Sequence, residues 1–259
     1  MHKQKDDLTF SWFDNGSPII TDSGKYSYNS DSKTAFYRSR FAHNTITIDD
    51  ESPFLYRPSP YGSGIKGSGL VGKIYWTQGE VYRDDYNVNH QRALVLNPNQ
   101  WLLVLDKLEA EDVHSYQQIF HLAPEYSASY MDRQMNKAIS PITATNKKNK
   151  LFIRNVSNGK AMSTLTHGKL EPHIQGWISE TYLKDEPRTT IVFKSKAQNL
   201  TIATLFSFNS LYTISHSKIH FTESTESINI CWRDSSQFTN VLFNGSLTPT
   251  ITSASCVIP

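Results

Sequence analysis

The stretch that decides the fold reads GKIYWTQGEVYRD (72–84), QRALVLNP (91–98), QWLLVLDKLEA (100–110) and SYQQIFHLAP (115–124). Each run is rich in aromatic, β-branched and aliphatic residues and is bounded by turn signals. Such a series predicts strand after strand. Pro98-Asn99 separates the second run from the third and predicts a hairpin. Outward from this core the pattern persists. Further strands are expected over 141–156 and 160–166, in SINICWR, and in TNVLFNG. Residues 189–208, TTIVFKSKAQNLTIATLFSF, read as a hairpin turning near Ala197–Asn199. No segment sustains a helical period, and no repeat of fixed length recurs. The expectation is an all-β fold, a large antiparallel β-sandwich with few or no long helices. One domain over 1–259 is expected, with the option of a main sandwich at 1–210 and a small β extension at 211–259.

Composition fits. At 259 residues the chain can bury a real core, and aromatics at 12% lean towards β structure. Hydrophobic residues are 38% and charged residues 19%, which excludes a disordered chain and a membrane protein. The formal net charge is +2, and the Lys147, Lys148, Lys150 patch reads as a solvated turn, so nucleic acid is not an expected partner. A mildly basic surface suits an anionic polymer. No apolar run is long enough for a spanning helix, and no signal peptide opens the chain. Cys231 and Cys256 either form one disulfide or stay as two thiols.

Titratable and ligand-capable groups are densest in the first fifty residues. There, strand-like alternation at Leu8, Phe10 and Trp12 leads to Asn15-Gly16, a strong hairpin signal. Residues 29–35 read as polar loop, NTITIDD (44–50) as a strand, and the Gly- and Pro-rich 52–72 as a long loop. Three polar clusters punctuate this region: His2, Gln4 and Asp6; then Asp22 with Tyr26 and Tyr28; then Arg38, His43 and Asn44. Paired strands bring such clusters together on one side of a sheet. Each residue carries two readings. Asp22 is an Asx turn before Gly24, a ligand, or both. His43 is a ligand or a buried histidine bonded to backbone. Asn44 is a turn residue or a sugar contact. Arg38 is a solvated charge or a bidentate anchor for a carboxylate or sulfate. Tyr26 and Tyr28 alternate, so both face one side, either packing on a sheet or stacking on sugar. His121 and Trp177 read as structural, and His90, His114, His167 and His173 show no convincing partner pattern.

Taken in order, the clusters resemble the opening of the C-terminal β-sandwich domain of the heparinase II/III-like polysaccharide lyases. That family shows H-x-H-x-D-x-L-S-F, then G-x-P-x-x-x-D-x-G-x-Y-x-Y, then R-S-x-x-A-H-N-T. This chain has His2, Gln4 and Asp6 with Leu8 and Phe10. It then has Gly16 and Pro18, Asp22, Gly24, Tyr26 and Tyr28, and Arg38-Ser39 with Ala42-His43-Asn44-Thr45. Weaker echoes follow at His90 and Arg92, Leu105-Asp106, Phe120–Pro124, Gly176–Ser179 and Tyr182. Three ordered motifs with similar spacing are more specific than any one alone.

The resemblance implies the sandwich portion of a lyase that cleaves uronic-acid-containing polysaccharide by β-elimination. It implies an upstream helical toroid domain that carries a catalytic Tyr and the group neutralising the uronate carboxylate. By position it makes His2 the catalytic candidate; Tyr26, Tyr28, Arg38 and Asn44 are the substrate contacts expected from their residue types. Gln4, Asp22 and His43 take the places of a structural divalent-metal site. Gln4 stands where the family commonly has His; an amide oxygen is a harder ligand, which shifts the expectation from zinc towards calcium or no metal. Further protein is expected upstream of His2, and a periplasmic or secreted location if the chain follows its family. The alternatives are a non-catalytic carbohydrate-binding or structural sandwich, and a capsule or exopolysaccharide biosynthesis protein of the same family.

Overall fold

The computed structural model describes residues 4–50, 64–131, 140–208, 220–223, 227–234, 237–244 and 247–252. In chain order its elements are β1 (Trp12–Asp14), β2 (Ser17–Ile20), α1 (Ser32–Arg38), β3 (Ile46–Ile48), β4 (Gly64–Val71), β5 (Ile74–Arg83), β6 (Val88–Asn97), β7 (Trp101–Ala110), β8 (His114–His121) and β9 (Ser127–Tyr130). There follow β10 (Ile142–Thr145), β11 (Lys150–Ser157), β12 (Met162–His167), β13 (Trp177–Thr181), β14 (Lys184–Pro187), β15 (Thr189–Ala197) and β16 (Leu200–Ser207). The last four are β17 (His220–Glu223), β18 (Ser227–Asp234), β19 (Gln237–Asn244) and β20 (Thr248–Thr252).

An eight-stranded sheet runs β4-β5-β6-β7-β16-β11-β10-β9, and a four-stranded sheet runs β12-β15-β8-β3. Their strand pairs are antiparallel, and the two sheets pack face to face as a sandwich. The reason lies in β7. Leu102, Val104 and Leu108 enter the core shared with Ile46, Phe120, Ile191 and Phe193 of the smaller sheet. Trp101, Leu103 and Leu105 point the other way, to a second core with Val241 and Phe243 of β19. A strand buried on both faces needs no polar alternation, hence the continuous apolar run. Burying each such side chain contributes about 1.5–3 kcal/mol. The sheet β17-β18-β19-β20 thus adds a third layer on the outer face of the large sheet.

Several local expectations give way. Residues 189–208 are not a hairpin: β15 pairs with β8 and β12, while β16 pairs with β7 and β11. The short turn carries the chain from one sheet to the other. The polar stretch 29–35 enters α1 instead of staying loop, because the Asp31 side chain caps Thr34 N at 2.7 Å and Phe36 and Tyr37 bury. Of the expected loop 52–72, residues 64–71 form β4, and 51–63 lie outside the described residues. β4 tolerates its glycines because Trp76 of β5 lies across them; a Cβ on Gly69 would approach its indole to 2.7 Å. Leu8 is left-handed (φ 58°), so the first strand begins only at Trp12. Tyr26 and Tyr28 lie outside any strand: Tyr26 packs on Tyr37 and Tyr28 is exposed. Asn15 and Gly16 both take positive φ in the β1–β2 turn, as the Asn-Gly pair predicts.

Candidate functional site

The described residues of the three polar clusters meet at one end of the sandwich. Lys5 N donates to the Arg38 carbonyl at 3.1 Å, and Thr45 Oγ1 donates to the Asp7 carbonyl at 2.7 Å. These bonds lay the first motif along the third. His43 Nδ1 donates to Asp22 Oδ2 at 2.7 Å and joins the third motif to the second. Gly24 N donates to the other Asp22 oxygen at 2.8 Å, which closes an Asx turn. Burial pushes the Asp22 carboxyl up, but the His43 and Gly24 hydrogen bonds and the Arg188 charge outweigh it. The net result is a carboxylate held below its ordinary range.

His43 is buried, and among the described residues its Nε2 has no hydrogen-bond partner. Behind it lies His121, whose Nε2 donates to the Phe41 carbonyl at 3.0 Å and whose Nδ1 accepts from Thr190 Oγ1 at 2.8 Å. Burial, then the nearby Arg188 and His43, pushes His121 well below the usual histidine range, so it stays neutral. Its structural role is the one expected. Arg188 is wholly buried and donates to the carbonyls of Thr21 and Asp22, to Thr21 Oγ1, and to Ser23 Oγ. It fixes the loop that carries Asp22.

Asn44 has a structural place instead of a sugar-facing one. Its side chain donates to the Phe10 and Thr21 carbonyls at 2.9 and 3.0 Å and accepts from His121 N at 2.7 Å. It is fully buried, so its amide is consumed in tying motif one, motif two and β8 together. Arg38 is half-buried in the last turn of α1. Gln4 is half-buried in the segment beside it, and His2 lies outside the described residues. Tyr26 stacks on Tyr37 at 5.8 Å with a 13° interplanar angle, which favours packing over sugar stacking. Burial, aided by the Asp185 charge, pushes the Tyr37 phenol well above its ordinary value. Tyr28 is 62% exposed. Among the described residues no three His, Cys, Asp or Glu side chains form a group that could hold a metal ion.

A buried polar network underlies this end. Asp106 accepts from His90 Nε2 and Arg92 Nε at 2.7 Å each, from Arg92 Nη2 at 2.9 Å, and from Gln118 Nε2 at 2.6 Å. Arg92 Nη1 donates to the carbonyls of Leu8 and Asn44, which anchors motifs one and three on the large sheet. Arg83 reaches His90 Nδ1 at 3.2 Å and Asp7 at 3.4 Å. His90 therefore accepts at Nδ1 and donates at Nε2, as the neutral imidazole. Burial pushes its pKa down to about 4. Burial raises the Asp106 carboxyl, but Arg92 and His90 prevail and hold it far below the ordinary range. His90 and His114 thus have partners that local sequence did not suggest, Asp106 and Asp49. The first pair had a signal. The Pro98-Asn99 hairpin sets Arg92 opposite Asp106, with His90 one diagonal step away. Arg188 had none.

The sequence profile of the heparinase II/III-like C-terminal domain matches residues 1–230, and the chain belongs to that family. Solved structures agree on the fold. A structure titled heparinase III is 15% identical with a TM-score of 0.73, covering 94% of this chain and 36% of its own. A heparinase III gene product is 18% identical with a TM-score of 0.71, over 94% of this chain and 37% of its own. The heparan sulfate lyase HepC from Pedobacter heparinus is 17% identical with a TM-score of 0.68, over 97% and 37%. This chain therefore spans little more than a third of the length of these structures. No curated protein matches it by sequence.

Proposed function

We propose that this chain is the sandwich portion of a polysaccharide lyase that cleaves uronic-acid-containing polysaccharide by β-elimination, working with an upstream helical toroid domain. The observation that carries the reading is the convergence of the three family motifs around Asp22, His43 and Arg38, within a chain that belongs to the family. In this reaction a base takes the C5 proton, and the electron pair left behind becomes the C4=C5 double bond. The C4–O4 bond breaks, and an acid protonates the departing oxygen. Donors or cations near the uronate carboxylate stabilise the enolate-like transition state. His2 is the proposed acid–base group from this chain. Arg38 and Tyr28 are proposed polymer contacts. The buried groups beneath them, Asn44, Arg188, His121 and the Asp106 network, tie residues 8–10, 21–23 and 41–44 to the sheets, and such positioning is what the chemistry requires.

A structural divalent metal at Gln4, Asp22 and His43 belongs to the same proposal. With Nδ1 donating to Asp22 and Nε2 buried without a partner among the described residues, an ion on Nε2 would lie on the far side of the ring from Asp22, which then serves as the carboxylate that orients the imidazole. Such an ion would add a fixed positive charge and couple the three segments. One observation favours a second reading, a binding or structural sandwich: Gln4 stands where the family commonly has His. Eliminative cleavage of uronate polymers, followed by absorbance of the unsaturated product, separates the two.

A further inference from the structure

Two exposed tyrosines from distant segments stand side by side at this end of the molecule. Tyr28 is 62% exposed and Tyr182 is 55% exposed, with ring centroids 6.5 Å apart and an interplanar angle of 41°. Adjacent exposed rings make a contiguous apolar patch, and such patches are candidate contact sites. The pairing is built by backbone. Gly24 and Ser179 form an isolated parallel bridge, and Ser179 N donates to the Ser23 carbonyl at 2.8 Å. Gly24 must be glycine, since a Cβ there would collide with the Ser179 carbonyl. At the tip of the β13–β14 hairpin, Leu183 (φ 60°) donates its N–H to the Tyr26 carbonyl at 2.9 Å. Lys33 of α1 clamps the returning strand through Asp185 at 2.8 Å. The hairpin tip is thus fastened to residues 23–26, and Tyr182 is delivered beside Tyr28. Lys25 Nζ lies 3.3 Å from the Tyr28 ring centroid and places a positive charge on the same spot.

We infer that Tyr28, Tyr182 and Lys25 form a subsite for one acidic sugar residue of the polymer, with β13–β14 as its recognition element. The tilted rings offer an apolar cradle to the C–H face of a pyranose, and Tyr side chains lose little entropy in doing so. Lys25 exchanges its ring contact for the sugar's carboxylate or sulfate, a charge-assisted bond. A neutral sugar gains only the stacking; an acidic one gains both. The inference rests on the proposed function and names where the polymer is gripped.

The test is titration of this chain with a defined uronate tetrasaccharide and with its carboxyl-reduced counterpart, followed by calorimetry. Tyr182→Ala should weaken both ligands roughly tenfold. Lys25→Gln should weaken the acidic ligand and leave the carboxyl-reduced one unchanged. Tyr182 is exposed and Lys25 only partly buried, so thermal melts of the variants should match wild type. Wild-type affinity in both variants, with the parent chain binding normally, overturns the subsite alone. No binding of either ligand by the parent chain overturns the subsite and the polymer-binding reading together.

Discussion

Replacing Asp106 by Asn isolates the energetics of the interior. The carboxylate is fully buried and accepts four hydrogen bonds, three of them from Arg92 and His90. Asn has nearly the same shape but one acceptor oxygen in place of two. Its NH2 group would face either the Arg92 Nη2 and Gln118 donors or the His90 and Arg92 Nε donors. Arg92 would be left as a buried cation without its counter-charge. Removing one partner of a buried ion pair costs about 3–5 kcal/mol. For a domain of this size that lowers the melting temperature by roughly 6–20 °C. Urea denaturation at neutral pH, followed by tryptophan fluorescence, reads the difference directly. A change below about 1 kcal/mol would refute the reasoning, because an unpaired buried guanidinium cannot be that inexpensive.

Stability should fall as pH drops from about 6.5 towards 4, because the unfolded chain protonates His90 while the native state resists until about 4. His90→Gln should flatten that part of the profile of urea midpoint against pH. The carboxylates Asp22 and Asp106, held below their ordinary range, add stability above about pH 4 that is lost on further acidification. Asn44→Ala should cost roughly 2–4 kcal/mol by orphaning the buried Phe10 carbonyl and His121 N–H, while the Thr21 carbonyl keeps its bond from Arg188, read by the same denaturation. If the proposed metal is bound, a chelator should lower the melting temperature of the parent chain and leave His43→Ala unmoved. Equal melting with and without chelator removes the metal from the account.

The fold was largely legible because its strongest signals are local. The runs at 72–124 are strands with little alternation, and Asn15-Gly16 and Pro98-Asn99 place their hairpins. What escaped depends on distant partners. Nothing near Ala197–Asn199 says that β15 and β16 belong to different sheets; their partners, β8 and β7, lie about 70 to 100 residues earlier in the chain. The Gly-rich β4 looks like loop until Trp76 is laid on it. At the site, the proximity of Asp22 and His43 followed from the motif resemblance. Asn44 showed the opposite: its residue type suited sugar contact, and only its burial assigns it to the scaffold. Arg188 lies about 165 residues from the loop it holds, and no spacing rule reaches that far.

The central claim is that this sandwich supplies one wall of a lyase site. The most direct measurement is eliminative cleavage of a panel of uronate polymers, by this chain alone and by the chain with any coding sequence that precedes it. The account predicts unsaturated product only in the longer protein, and loss of that product on His2→Ala. Turnover that survives His2→Ala, or no product from any polymer in the longer protein, would contradict it.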